Sequence, residues 1–253
     1  MDTVCFLIAA GLLAGAMNAL AGGGSFVSLP ALMAAGVSPV VANASSSLAL
    51  YPGGAMSAWV YRRGLRPIAA IPLPWMATAS MAGGLVGGVL LLATPATLFL
   101  RALPWLLLAA TLTLAFGRRI TDGMQGRIKG WSGAGGGTIL SGQFVLGIYG
   151  GYFGGAVGIM MIAFWTLVTR DDLKQLQGLR TLLVTAANTP AVVLFAASSA
   201  VGWREVLILA PSAMVGGYLG AQLGARLPAA GVRAATLALA GFVTAAFFVK
   251  SYV

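Results

Sequence analysis

The chain contains no histidine, a single cysteine at Cys5, and only five acidic residues: Asp2, Asp122, Asp171, Asp172 and Glu205. Each scarcity removes a class of chemistry. All five carboxylates fall in loops or at the ends of apolar segments. The apolar interior therefore has no Asp, Glu or His of the kind that proton relays in pumps use. A Ser-His couple or an intramembrane Asp pair is equally missing, and nucleophilic catalysis needs a base within hydrogen-bond reach. Metal sites lack their usual Cys, His and carboxylate ligands. One cysteine excludes an intramolecular disulfide, and Cys5 reads as an ordinary residue of an apolar helix. The expectation is a non-enzyme without a cofactor.

What the chain has in abundance is apolar surface. Hydrophobic residues make up 59% of its 253 residues and charged ones 8%, with a mean hydropathy of +0.93. Soluble domains carry about 25% charged residues. Apolar runs cover residues 4–36, 39–61, 67–92, 96–116, 138–168, 173–200, 205–225 and 232–249, and several reach the ~20 residues that one crossing needs. This predicts an all-α polytopic membrane protein. The opening MDTVCFLIAAGLLAGA has no basic stretch before its apolar residues, so it reads as a retained segment rather than a cleaved signal peptide. A net charge of +10 would suggest nucleic acid in a soluble protein, but here the basic residues cluster at segment ends. That pattern sets orientation across a bilayer. The partners expected are membrane lipid and a small anionic substrate, with no nucleic acid; a homo-oligomer stays open.

The chain reads as two related halves, residues 1–116 and 138–253, joined by a basic connection at 117–137. Gly15-Ala16-Met17-Asn18 through Gly22-Gly23-Gly24 lines up with Gly147-Ile148-Tyr149-Gly150 through Gly154-Gly155-Ala156. Further on, RRGLRPIAAIP (62–72) resembles AVGWREVLILAP (200–211), and AGGLVGG (82–88) resembles VGGYLGA (215–221). Repeated halves are a frequent plan for secondary transporters, whose substrate sites lie between the repeats near mid-bilayer.

The glycine-rich segments pose a length problem. Residues 4–36 as one helix would measure about 50 Å, too long for a ~30 Å core and too short for two crossings. Residues 138–168 behave alike. A re-entrant hairpin that turns at the glycines resolves this, and such a turn is tolerated only where protein or a polar cavity surrounds it. Each half is then a hairpin plus three transmembrane helices. That places Arg62, Arg63, Arg66, Arg118, Arg119, Arg127, Lys129, Arg170, Lys174, Arg226 and Arg233 on one side, and Arg101, Arg204 and Lys250 on the other, 11 to 3. Eight continuous spans in parallel repeats, the alternative, give 9 to 5, so the positive-inside rule favours hairpins. An odd number of crossings per half also inverts the second repeat, bringing the two glycine turns together from opposite faces. Both termini are expected outside.

One charge lies within an apolar segment: Arg180, in LQGLRTLLVTAANTP. It reads either as a snorkelling arginine near the interface or as an anion ligand facing a cavity, since a guanidinium suits oxyanions bidentately. The repeat alignment sets Arg180-Thr181 opposite Ser45-Ser46, cationic donors on one side of a cavity and hydroxyls on the other. The glycine turns, Gly22, Gly23, Gly24 and Gly150, Gly154, Gly155, would aim backbone amides at an anion. Ser25, Asn18 and Asn43 are further donors, although Ser25 and Asn18 equally suit capping and close packing. Gly83-xxx-Gly87, Gly84-xxx-Gly88, Gly216-xxx-Gly220 and Gly220-xxx-Gly224 read as packing faces, where small residues let helices approach. The Gly133 to Gly137 run lacks the lysine of a phosphate loop and reads as a flexible lead.

GAMNALAGGGSFVSLPAL, VSPVVANASSSLALYPG and YRRGLRP in the first half, with IYGGYFGGAVGIMM, GLRTLL and GGYLGAQLGARLP in the second, resemble the TauE/SafE family of sulfite exporters and related transporters. The resemblance covers nearly the whole chain in order. It implies transport of small sulfur-containing anions such as sulfite, thiosulfate or sulfonates across the inner membrane. Where the family carries ANATN, this chain has Ala42-Asn43-Ala44-Ser45-Ser46, one amide donor fewer; where lysine followed by asparagine is common, it has Arg180-Thr181. The rivals to a transporter are a channel-like anion pore and a non-transporting membrane scaffold.

Overall fold

The computed structural model describes residues 2–61, 67, 71–124, 135–168, 173–224 and 229–252. Ten helices form its framework: α1 Asp2–Ala21, α2 Ser25–Ala34, α3 Pro39–Tyr61, α4 Leu73–Ala93, α5 Ala96–Met124, α6 Gly136–Tyr152, α7 Val157–Val168, α8 Leu173–Ala196, α9 Trp203–Gly224 and α10 Ala229–Tyr252. Arg62, Arg63, Arg66, Arg127, Lys129, Arg170, Asp171, Asp172, Arg226 and Gly133 lie outside the described residues. Six helices among the described residues are long and apolar enough to cross a membrane, containing the spans Thr3–Leu20, Leu73–Ala93, Ala96–Phe116, Gly178–Ala196, Trp203–Leu223 and Gly231–Tyr252. Large apolar side chains such as Leu207, Phe242 and Val249 stand exposed on these helices, as a bilayer-facing surface requires. This is a multi-pass membrane protein.

The breaks fall where the glycines are. Gly22 and Gly154, the positions that the repeat alignment pairs, both take positive φ, +69° and +75°. Only glycine adopts that region without strain, so each ends its helix and reverses the chain. At the second break the reversal is plain in the contacts. Gly142 faces Phe164, Gly150 faces Val157, and Gln143 bonds Met161 and Trp165, so α7 runs back along α6. At the first, Gly24 abuts the Ala14 carbonyl, while Ser28 on α2 pairs with Ser46 on α3. A third left-handed glycine, Gly36 at φ +90°, closes α2 with a Schellman pattern: Val37 N bonds Leu32 O and Gly36 N bonds Met33 O, both at 3.1 Å.

The arms are unequal. With 20 residues α1 is about 30 Å long and reaches across the bilayer core by itself, whereas α2, with 10, covers about 15 Å. The turn therefore stands at the far end of α1 rather than halfway along it. Gly23 lies beside Thr236, about 10 Å along α10 from its first residue. Nor is the basic connection all loop: α5 continues to Met124 and α6 takes in Gly136 and Gly137.

Helix directions follow from the pairs that touch. α5 and α10 are antiparallel, with Ser251 on Leu100 O, Thr244 on Thr111 and Arg233 on Ala115 O. α3 and α8 are antiparallel, Tyr51 meeting Thr189 and Gly54 meeting Thr185. If each glycine-rich segment crossed once, α5 and α10 would run the same way; they run oppositely. The packing also repeats. Gly216 and Gly220 of α9 sit against Leu12 and Ala16 of α1; Gly83 and Gly87 of α4 sit against Phe144 and Ile148 of α6. A Cβ on any of these glycines would overlap the opposing helix backbone, which is the close approach that small residues permit in membranes. Gly84 and Gly88 face Ala187 and Ala191 of α8 in the same way.

Prolines inside helices remove a donor each. Pro104 withdraws the N–H that would bond Leu100 O, and Ser251 Oγ supplies a replacement at 3.2 Å. The core is apolar around Phe26, Phe99, Phe153, Phe195 and Trp165. The exception is α3, which carries Asn43, Ser45 and Ser46 fully buried where α2, α8 and α9 pack on it.

Candidate functional site

At the first turn the glycine amides are already in use: Gly22 N bonds Asn18 O at 3.0 Å and Gly23 N bonds Met17 O at 3.5 Å. They are not the bare donors that the sequence suggests. Gly24 is a contact residue. A Cβ there would stand 2.7 Å from Ala14 O, 2.8 Å from Asn18 Cβ and 3.0 Å from Leu50 Cδ1. Ser25 is buried at the start of α2, and Asn18 is half-buried on α1. One turn on, Ser28 Oγ donates to Gly24 O at 3.1 Å. Its one proton is thereby committed, so Ser46 Oγ donates to Ser28 Oγ across 2.5 Å. This ties α2 to α3.

At the second turn, Phe153 N and Gly154 N converge on Tyr149 O at 2.9 and 3.3 Å. The carbonyls that follow, from Gly150 onward, thus leave the α6 ladder. Asn43 Nδ2 on α3 reaches across to donate to Tyr152 O at 2.8 Å. Ser47, one turn further along α3, lies against Gly154: its Oγ is 3.6 Å from where a Cβ would stand, with Gly150 O at 3.4 Å. The Tyr152 ring is held by its hydroxyl on Thr94 Oγ1 at 3.3 Å and by Phe99 at 5.8 Å between centroids. Gly150 packs on Val157, and Gly155 on its neighbour Phe153.

Arg180 belongs to the far side of this second turn. Its stem lies over Gly158 in the first turn of α7, where a Cβ would come within 3.0 Å of Cδ and 3.1 Å of Cγ. Glycine at 158 makes room for the arginine. Thr181 follows it on α8 and accepts, through its carbonyl, the Thr185 hydroxyl at 2.8 Å. Ser45 and Ser46 are elsewhere. Ser45 Oγ accepts Gly202 N at 2.9 Å, where the α8–α9 connection passes the Pro39 end of α3. With the α3–α8 register set by Tyr51–Thr189 and Gly54–Thr185, Arg180 and Ser46 lie about 20 Å apart along the seam at 1.5 Å per residue. The structure does not bring these four residues around one point. It gathers Gly24, Ser25, Ser28 and Ser46 at one turn, and Asn43, Ser47, Gly150, Gly154 and Arg180 about the other.

Several residues here escaped the sequence reading. Ser47 and Tyr51 continue the Asn43 face at helical spacing, a signal that was available in ANASSSLALY. Gln143 carried none. It is fully buried and holds a closed network in which Nε2 donates to Ser80 Oγ at 2.8 Å and Trp165 Nε1 donates to Oε1 at 3.0 Å. Ser80 in turn donates to Met76 O at 2.8 Å. This network pins α6 and α7 to α4. A shallow groove of about 440 Å³ between α1 and α9 is lined by Val4, Ile8, Leu12, Leu207, Pro211 and Val215 among others; it faces outward and is apolar.

Helices broken at buried glycines inside a multi-pass bundle, with polar side chains concentrated at the breaks, define a membrane-transporter architecture. Residues 7–247 match the family described as Sulfite exporter TauE/SafE. The chain belongs to that family. It is 29% identical over 231 residues to a probable membrane transporter protein of Haemophilus influenzae, an alignment covering 90% of this chain and 86% of the relative. Against probable membrane transporter protein YfcA of Escherichia coli K12 the identity is 28%, covering 88% and 79%. Against probable membrane transporter protein ORF9 of Sinorhizobium sp it is 30%, covering 88% and 82%. No solved structure matches the chain.

Proposed function

We propose that the chain is a secondary transporter of small sulfur-containing anions such as sulfite, thiosulfate or organosulfonates. In this reading the two sets of five helices form inverted repeats, and the anion passes along the α3–α8 seam between the glycine turns. Membership of a transporter family supports the class. The observation that carries the substrate charge is Arg180. It is the third residue of the 19-residue apolar span Gly178–Ala196, and its stem lies over the first turn of α7. The amino-terminal end of a helix bears a positive dipole and amides without ladder partners. A guanidinium beside it adds charge and paired donors suited to an oxyanion. Gly154 and Gly155 shape the approach, while Thr181, Ser25, Ser45, Ser46, Asn43 and Asn18 line the remainder of the route.

With no carboxylate or histidine inside the apolar segments, the reading assigns no buried acid to proton coupling; a sulfite-type substrate carries its own proton. The test is uptake of sulfite, thiosulfate, a sulfonate and a carboxylate into liposomes holding wild type, Arg180→Ala or Arg180→Lys protein. A charged hydrogen bond contributes about 1.5–3 kcal/mol, so Arg180→Ala should slow sulfur-anion flux about 10- to 150-fold. Arg180→Lys should retain most of it. Equal rates in wild type and Arg180→Ala remove Arg180 from the site.

A further inference from the structure

We propose that the end of α6 and the facing turn of α3 form a binding site for a small monovalent cation of sodium size, held by neutral oxygens alone. The starting point is Asn43. It is 1% exposed, and its Nδ2 donates to Tyr152 O at 2.8 Å. Its Oδ1 is buried with no hydrogen-bond partner. A buried acceptor left unpaired is costly, and groups of this kind in folded proteins call for a donor or an ion.

The surroundings decide which. The left-handed turn at Gly154, φ +75°, directs Phe153 N and Gly154 N to Tyr149 O. The N–H that would continue the ladder to Gly150 O is thereby diverted. The terminal carbonyls of a helix have no ladder donors and carry the negative end of its dipole. Gly150 O and Ser47 Oγ both lie within 3.6 Å of the point where a Cβ of residue 154 would stand. Ser47 is four residues from Asn43, on the same helix face. Asn43 Oδ1, Ser47 Oγ and the carbonyls of Gly150 and Tyr152 thus cluster at one broken helix end. In transporters, unwound carbonyls and half-helix carboxyl ends are where coupling cations bind.

The donor set selects the ion. Among the described residues no group of His, Cys, Asp or Glu could hold a metal ion. Calcium takes carboxylates along with its neutral oxygens, and magnesium is held through one or two of them, whereas a monovalent cation needs no counter-charge from its ligands. An anion is disfavoured where carbonyl oxygens converge. The repeat alignment of Ser45-Ser46 with Arg180-Thr181 puts Gly178 opposite Asn43, so the first turn lacks the amide and the chain has one such site. The proposal goes beyond anion transport. The two ligands would share the second glycine turn, so each would favour the other's binding by the same factor.

The test uses the whole protein in detergent, without anion substrate, with sodium replacing choline at constant ionic strength. The readouts are the thermal midpoint and tryptophan fluorescence. A saturable sodium response is expected in wild type, absent with choline alone and weakened at least tenfold in Asn43→Leu. Asn43→Asp should tighten it, because a carboxylate replaces the neutral oxygen. No saturable response in wild type overturns the proposal, as does an undiminished response in a monodisperse Asn43→Leu. If Asn43→Leu does not fold, unchanged affinity in Asn43→Asp overturns it instead. Because the measurement involves neither anion nor flux, its failure is separate from failure of the transport reading.

Discussion

Adding one methyl group at Gly84 should part three helices. A Cβ at this position would stand 2.6 Å from the carbonyl carbon of Ala187 and 3.0 Å from its Cα, and it overlaps the carbonyl oxygen outright. Carbon atoms in contact need about 3.5–4.0 Å, so α4 and α8 must separate by about 1 Å. A gap of that size forfeits about a quarter to a half of the dispersion energy of each contact it opens. The obstacle is backbone, so no rotamer change relieves it. Overpacking of this kind costs about 1–3 kcal/mol. For a chain of this size that lowers the thermal midpoint by about 2–4 °C per kcal/mol. Gly241 on α10 is the control, since nothing lies within 4 Å of a Cβ there. Alanine at such a helical position stabilises by about 0.5–1 kcal/mol. Thermal melts in detergent should therefore show Gly84→Ala falling below wild type and Gly241→Ala rising above it. Equal shifts, or a rise in both, would refute the close-approach reading of α4.

Gln143→Leu should lower the midpoint by leaving Trp165 Nε1 buried without an acceptor, at about 1–3 kcal/mol; adding Trp165→Phe should recover part of that loss, and no recovery would contradict the network. Ser46→Ala should cost about 1 kcal/mol, and in a double-mutant cycle with Ser28→Ala the two losses should fall short of additivity; additive losses would deny the hydrogen bond between them. Gly154→Ala forces an alanine to φ +75°, costing about 1–2 kcal/mol; a midpoint equal to wild type would show the turn can relax. Flux of a permanently charged sulfonate should not vary with pH, because no buried acid titrates; pH dependence that persists with such a substrate would point to a titrating protein group.

The halves, the helix breaks and the packing glycines were legible because each rests on local chemistry. Gly22 and Gly154 need left-handed backbone, and Gly83, Gly87, Gly216 and Gly220 sit where helices touch. Charge placement also favoured hairpins, and the antiparallel α5–α10 pair agrees with that choice. The site was legible in part. Asn43, Gly150, Gly154 and Arg180 flank the second turn, but Ser45 and Ser46 lie far along the seam from Arg180. Alignment pairs residues by position in a repeat; in antiparallel α3 and α8 such residues move apart as they leave the centre of the seam. The unequal arms of the first hairpin were hidden for another reason. Apolar composition marks a segment as membrane-embedded without saying where along it a turn lies. Gln143 was invisible because one amide in an apolar run has no periodic partner, and its meaning depends on Ser80 and Trp165, distant in sequence.

The central claim is a saturable site for small sulfur oxyanions. Its most direct test is the initial rate of sulfite entry into liposomes containing the wild-type protein, measured across a range of sulfite concentrations. The account predicts a rate that saturates, exceeds protein-free liposomes, and is inhibited by thiosulfate or a sulfonate more than by a carboxylate. A rate that rises linearly without limit, or one equal to protein-free liposomes, would contradict it.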